Sequence, residues 1–483
     1  MAGSDSVDGE ELRERGARTE EQQRPSTIDE ADRATTSKAS SEQTLSSHPS
    51  PDCLAHVYLT QLAVRFDPSK APTVLYDDGN HLVLVVSEGK LYSWPVEWVA
   101  TRDDKSGNRP TPKISTLTEG PVLAVRYSLD GTVLAIQRTP TDIEFINREK
   151  RTEFWQRCRP GDQLLGFFWV ATPDYDLALV TSNGLELFQL LPEHNGLRAV
   201  EFRKHQVAWY SYTHESRLAL LASSTAAPVR LTGYQFATSG LIRLPKFDLP
   251  TQSSPKLPRA VSVERGDVKL LTMYGRMYCA HVDRAAGQLM LYRFYRDALI
   301  HQHTFPLYSS RVALSAVDHA LLVHNLDSGV VLVQDVLSSS KHPLASPLPL
   351  GMPSALLDER GAPKEDSDLD PYNPLWDFVG ADMVVDWANG VVWQQRLDLA
   401  ALTASCSDRT SLVGFLQRRR QDLPYASPAS SPRQLTLQVV KALIQDRESL
   451  ASISRAFDLL CGAYQEAVHQ AQTAAGGGEG GEP

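Results

Sequence analysis

The chain has 483 residues, 42% of them hydrophobic, so it can bury a large core and has the length for more than one domain. A net charge of −10 and a sequence pI near 5.7 argue against nucleic-acid binding, which normally needs a clustered basic face. Five widely spaced cysteines with no CxxC pair suit a reducing compartment, and no apolar run reaches the length of a membrane span.

Residues 1–50 are rich in Ser, Thr, Glu, Asp and Arg, with almost no aromatic or β-branched material. Such a segment cannot bury enough apolar surface to offset its ordering entropy, and the reading is disorder. Folded structure is expected from about Leu54, where LAHVYLTQLAVRF reads as a strand. A strand-hairpin pattern then recurs seven times: residues 74–86, 122–147, 164–190, 207–223, 268–294, 312–336 and 382–397. Most are paired apolar or alternating runs broken by a Gly turn, as at Asp78-Gly79-Asn80, Asp130-Gly131, Asn183-Gly184, Ser328-Gly329 and Asn389-Gly390. Glycine is read there as supplying the positive φ of a tight hairpin. Repeats at roughly 40-residue spacing are the signature of propeller blades. The fold class expected is all-β, a seven-bladed WD40-like propeller over residues 51–400. Its N-terminal strand is offered a partner in the last blade, at VVWQQRLDL.

Three insertions carry loop chemistry: 102–113, 250–260, and a long one from Ser338 to Pro374 with the acidic run GAPKEDSDLDPYNP. Past residue 400 the apolar period changes from 2 to 3.6. Ser407 or Asp408 is positioned to cap a helix that places Leu412, Phe415 and Leu416 on one face, ending in the basic run Arg418-Arg419-Arg420, read as a solvated helix end. After the linker DLPYASPASSP, one helical stripe is expected through Val439, Leu443 and Ile444, and another through Ile453, Phe457, Leu460 and Tyr464. These helices form a short extension over 401–472, either the start of a larger helical region or a docking element. A flexible Gly-rich tail follows over 473–483.

The search for chemistry nominates no catalytic, cofactor-binding or metal-binding residue. Phosphate loops, dinucleotide glycine fingerprints, nucleophile elbows and zinc helices are all missing from the sequence. His301 and His303 could share one strand face but lack a third ligand nearby, which favours a surface or cross-strand pair. Phe167-Phe168-Trp169, Trp209-Tyr210 and Trp376 read as packing between blades rather than as a ligand surface. Trp376-Asp377 spells WD but opens a strand region, so it assigns no repeat. Phe247, between the prolines of LPKFDLP, reads either as an exposed docking anchor or as a plain inter-blade connector.

In these blades and helices, VLAIQRTPTDIEFIN (133–147), LLGFFW (164–169), GLELFQLLPE (184–193), WYSY (209–212), LPKFDLP (244–250), MYGRMYC (273–279) and LVGFLQRRR (412–420) form a collinear series. The series resembles the Mic/Bulli family, the regulator subunit of the Mon–Ccz guanine-nucleotide exchange factor for the late-endosomal GTPase Rab-seven. The resemblance implies an N-terminal propeller followed by a long helical domain, in a non-catalytic subunit. It implies a heterotrimer with the Mon and Ccz homologues, contact with Rab-seven only through them, and no cofactor. It also implies a cytoplasmic protein peripheral on late endosomes and lysosomes, acting in trafficking and autophagy. The chain departs from the family pattern in its N-terminal segment, in the acidic insert at 361–370, and in stopping soon after the first helices. A propeller followed by helices is also the architecture of vesicle-coat and tethering subunits. A propeller hydrolase would need carboxylates or histidines converging at the inner-strand ends, one with a shifted pKa.

Overall fold

A computed structural model of the chain describes residues 54–60, 63–96, 111–226, 228–249, 262–338, 340–353, 371–419 and 431–476. The segment 1–50, most of the first two insertions, the acidic insert, Cys53, Arg420 and the residues after 476 lie outside it. Seven antiparallel sheets follow one another along the chain. Blade one is Thr73–Asp77, Leu82–Ser87, Lys90–Pro95 and Lys113–Thr116. Its four neighbouring blades repeat that meander from inner strands Ala124–Tyr127, Leu164–Trp169, Trp209–Thr213 and Val268–Met273. Blade six starts at Val312–Val317 and blade seven at Trp376–Val379. The repeat read from the sequence is therefore the blade itself, and the chain is a seven-bladed β-propeller. Part of two expected loops is structure: Lys113–Thr116 and Leu348–Pro349 are the outermost strands of blades one and six.

The ring closes as the sequence anticipated. Val57–Leu59 (β1) lies antiparallel on Val391–Leu397, with Val57 opposite Leu397 and Leu59 opposite Gln395. It becomes the outer strand of blade seven. A second short strand, Val64–Arg65, pairs with the start of the same strand, Val64 opposite Val392. Here Gly390 is required twice over. Its φ is 61°, and a Cβ would lie 2.1 Å from the Phe66 carbonyl oxygen. Gly79, by contrast, has no positive φ; the left-handed residue of that turn is His81, at 51°. What Gly79 supplies is room, since a Cβ there would stand 2.9 Å from Leu129 of blade two.

A turn signal that the glycines alone did not reveal recurs in blades five, six and seven. Asp283, Asn325 and Asp386 each end a strand and accept backbone N–H bonds from residues two and three positions on. Each is followed four residues later by a glycine with φ between 61° and 68°. The side chain fixes the turn and the glycine turns the chain back into the next strand.

Four helices follow: Leu399–Ser405 (α1), Arg409–Gln417 (α2), Pro432–Gln445 (α3) and Leu450–Gly476 (α4). Asp398, Asp408 and Ser431 cap the first three by accepting from Ala401, Ser411 and Gln434 N–H groups. Helix α1, about two turns directly after the last strand, straddles the boundary expected at residue 400 between propeller and helical extension. Leu399, Leu402, Leu412, Val413, Phe415, Leu416, Leu435, Val439, Leu443 and Ala456 belong to one buried cluster with Val57, Leu59, Leu322, Val333 and Trp393. Helices, closing strand and blades six and seven thus share a single core.

The expected helical stripes split. Val439 and Leu443 point inward while Ile444 is exposed; on α4, Ile453 and Leu460 pack inward while Phe457 and Tyr464 face solvent. The basic run is corrected as well. Arg419 is only 5% exposed, donating to Tyr274 Oη at 3.0 Å, to Phe415 O and to Asp318 O, and Arg418 pairs with buried Asp335. A guanidinium with several fixed donors can satisfy blade carbonyls and a carboxylate at once, and this run fastens α2 to blades five and six.

Candidate functional site: the axial channel

The inner strands line an axial cavity of about 1420 Å³, bounded by residues of blades one, two, four, five, six and seven together with Arg418, Arg419, Ala463 and Glu466 of the helical extension. Alternation along each inner strand sends every second side chain toward this axis. Tyr76, Arg126, Tyr212 and Lys269 reach it in that way. Lys269 donates to Leu314 O at 2.6 Å, and burial pulls its ammonium down to a pKa of about 8.

At one mouth the first turns of blades one and four meet. The Asp78 carboxylate accepts from the backbone N–H of His214, joining turns that lie 136 residues apart. Tyr212 Oη lies 3.0 Å from His214 Nδ1, and Tyr76 Oη lies 3.4 Å from His81 Nδ1. Burial lowers the His214 pKa against the pull of Asp78, while burial and then the Asp78 charge raise the Glu215 carboxyl. Asp382 of blade seven is also raised by burial and accepts from Gln394 Nε2 at 2.6 Å. Carboxylates and imidazoles therefore converge at inner-strand ends, which meets the geometric half of the hydrolase expectation. Their hydrogen bonds run to neighbouring tyrosines, to Gln394 and to the His214 backbone, and the bond from His214 N–H to Asp78 ties blade one to blade four. Among the described residues, no group of three or more His, Cys, Asp or Glu side chains is placed to hold a metal ion.

A second constellation pairs serine with histidine. Ser315 Oγ donates to Gln395 Oε1 at 2.9 Å, and His324 Nε2 lies 2.7 Å from Ser315 Oγ. His324 Nδ1 lies 3.0 Å from Tyr372 Oη. With the serine proton committed to Gln395, the complete set of bonds requires the neutral Nε2–H tautomer, donating to serine and accepting from Tyr372. That direction is the reverse of nucleophile activation, in which imidazole accepts the hydroxyl proton. His324 is fully buried and its pKa is lowered to about 3, chiefly by burial. These four residues clip blades six and seven together.

The remaining sequence candidates fall into packing roles. Phe247 pairs through its strand with blade four and sets its ring 6.2 Å from Tyr292 and 6.1 Å from Phe294 of blade five, so the connector reading holds. His301 and His303 separate, one to Thr304 and one to Val336 O. Phe167, Phe168 and Trp169 are buried between blades, Trp209 donates to Val263 O, and Trp376 lies in an inner strand against Trp393. Cys158, Cys279 and Cys406 are buried free thiols, and Cys461 is an exposed one.

Fold and site together define a β-propeller with an axial cavity lined by its inner strands, extended by helices on the same core. A family model described as "Regulator of MON1-CCZ1 complex, N-terminal" matches residues 74–197, from the inner strand of blade one to the start of the outer strand of blade three. The human and mouse proteins called "Regulator of MON1-CCZ1 complex" are each 24% identical, over 86% and 85% of this chain. The chain spans 64% and 63% of the lengths of those two proteins. Among solved structures, the β-propeller domain of Cps50 (Swd1) from Myceliophteria thermophila aligns at 10% identity, covering 68% of this chain and 97% of that one with a TM-score of 0.40. The chain is similar to the regulators of the MON1-CCZ1 complex over most of its length, as the collinear series suggested.

Proposed function

We propose that this chain is a non-catalytic scaffold subunit that binds the MON1–CCZ1 heterodimer and supports its exchange activity on Rab-seven. The observation that carries the reading is similarity to the named regulators along 86% of the chain, through the blades and into the helices. The site chemistry is compatible with it, because the polar clusters of the axis bond blade to blade. Support of this kind acts as a coupling free energy: the subunit favours one arrangement of its partner, and the partner performs exchange. The setting proposed is the cytoplasmic face of late endosomes and lysosomes, reached through the partners, in trafficking and autophagy.

The test is reconstitution. Purified chain is added to the MON1–CCZ1 heterodimer, and release of labelled GDP from the Rab-seven homologue is followed on vesicles. A stoichiometric complex and faster release are expected. Failure to associate at micromolar concentrations overturns the reading; recovery in a lattice with coat subunits would replace it with the coat alternative.

A further inference from the structure

Lys269 stands on the inner strand of blade five and borders the axial cavity, where the residue keeps partial contact with solvent. Its amine has one hydrogen-bond acceptor, the Leu314 carbonyl of blade six, at 2.6 Å. Among the described residues it forms no ion pair. Of the charged groups around the cavity, Asp377 and Asp382 of blade seven act on it at longer range, and His324 of blade six in turn feels its charge. An ammonium has three N–H donors and here leaves two without a protein acceptor. A neutral amine has two, and with one given to Leu314 it keeps a lone pair unengaged.

Burial disfavours the charged form and outweighs both carboxylates, which favour it. With a pKa of about 8, roughly a tenth of the group is neutral at pH 7, against less than about 0.1% of an ordinary lysine. Lower basicity takes back part of that gain as lower nucleophilicity, leaving an advantage on the order of tenfold. Desolvated lysines of this kind are the ones that attack carbonyl carbon. The surroundings select the electrophile. Val312 and Leu314 of blade six and Phe378 and Val379 of blade seven give the cavity apolar wall, while Asp377 and Asp382 disfavour an anion near the amine. A small, uncharged carbonyl compound fits both conditions.

We propose that Lys269 is a covalent capture site for a small neutral aldehyde admitted to the axial cavity. The Nζ lone pair attacks the aldehyde carbon, and the carbonyl oxygen takes up a proton to give a carbinolamine. That adduct loses its hydroxyl and the remaining amine proton as water, leaving a C=N bond to Nζ. Amine and aldehyde thus become imine and water, with no oxidant or further reactant needed. The site is independent of the subunit reading, and either can fail alone.

The experiment incubates the full chain with propionaldehyde and sodium cyanoborohydride, which reduces imines to stable secondary amines. Peptide mapping by mass spectrometry then follows each lysine across pH 6–9. At pH 7, Lys269 is expected to be alkylated at least about fivefold faster than the exposed Lys90, Lys113, Lys204 and Lys441. That advantage should shrink once pH passes about 8, and vanish in urea. Asp377→Asn removes an exposed charge that holds the amine's proton affinity up, so the shrinkage should begin at lower pH while the thermal midpoint stays put. Lys269 reacting no faster than the surface lysines, or a pH dependence unmoved by Asp377→Asn, overturns the proposal. Preferential acetylation of Lys269 by the N-hydroxysuccinimide ester of acetate, without preferential alkylation by the aldehyde, would overturn it in favour of acyl donors.

Discussion

Arg138 and Glu144 show how much single residues carry here. Their ion pair, 2.7 Å long, is almost fully buried, and the guanidinium also donates to Thr118, Gly120 and Pro121 carbonyls. It thus ties the connection from blade one onto blade two. Removing one partner strands a buried charge, and Arg138→Ala is expected to cost about 3–5 kcal/mol in urea unfolding. Replacing both residues with apolar ones of similar volume should cost much less. His324 gives a pH dependence. Its pKa is 6.5 when unfolded and about 3 when folded, so the unfolded chain takes up protons first as pH falls. Stability from this group is complete above pH 6.5 and lost as pH drops toward 3. The difference reaches about 2 kcal/mol at pH 5, from 1.36 kcal/mol per pH unit. Unfolding of His324→Gln, which can still donate to Ser315, should show a shallower acid slope; an unchanged slope would refute the assignment.

At the scale of elements, the closing strand is the sensitive one. Leu59 donates to Gly351 O at 2.9 Å on one side of β1, while β1 pairs with Val391–Leu397 on the other. Leu59→Pro removes that donor from a strand with neighbours on both sides, and hydrogen exchange in Val391–Leu397 should accelerate well before global unfolding. The pairing was legible because period-2 runs bracketed by turn glycines report strands directly, and a propeller must close. The faces of the helices were not. A single stripe through Ile453, Phe457, Leu460 and Tyr464 fits helical spacing, yet which half meets the protein depends on where α4 lands. Likewise, Arg418 and Arg419 look like any solvated terminus until Asp335 and Tyr274, from distant blades, are placed beside them.

Across the molecule, the helical extension is part of the propeller's core rather than an appendage. Leu402, Leu412, Phe415 and Leu416 are fully buried against blades six and seven. Each truncated core leucine typically costs about 2–5 kcal/mol, so a chain ending at Leu397 should fail to fold as a soluble monomer. A soluble, cooperatively melting propeller from residues 51–397 would show the core has been misjudged. The axial cluster belongs to this scale too, since no one repeat contains it: Asp78, His214 and Asp382 meet only once the ring is complete. That is why pattern reading found the blades but not what they enclose.

Thr60 and Gln394, which exchange hydrogen bonds across the closure, are 334 residues apart. At 5–20 residues per second, a ribosome needs about 17–70 s to make the stretch between them. Through that interval Val57–Leu59 has no partner, and the inner strands of blade one present an uncovered flank. The seam that finishes the ring is therefore a timing problem for the cell: nascent chains must be kept from pairing with one another until the last blade emerges. A mutation that weakens the seam would show itself first in yield during synthesis, and only later in the stability of the finished protein.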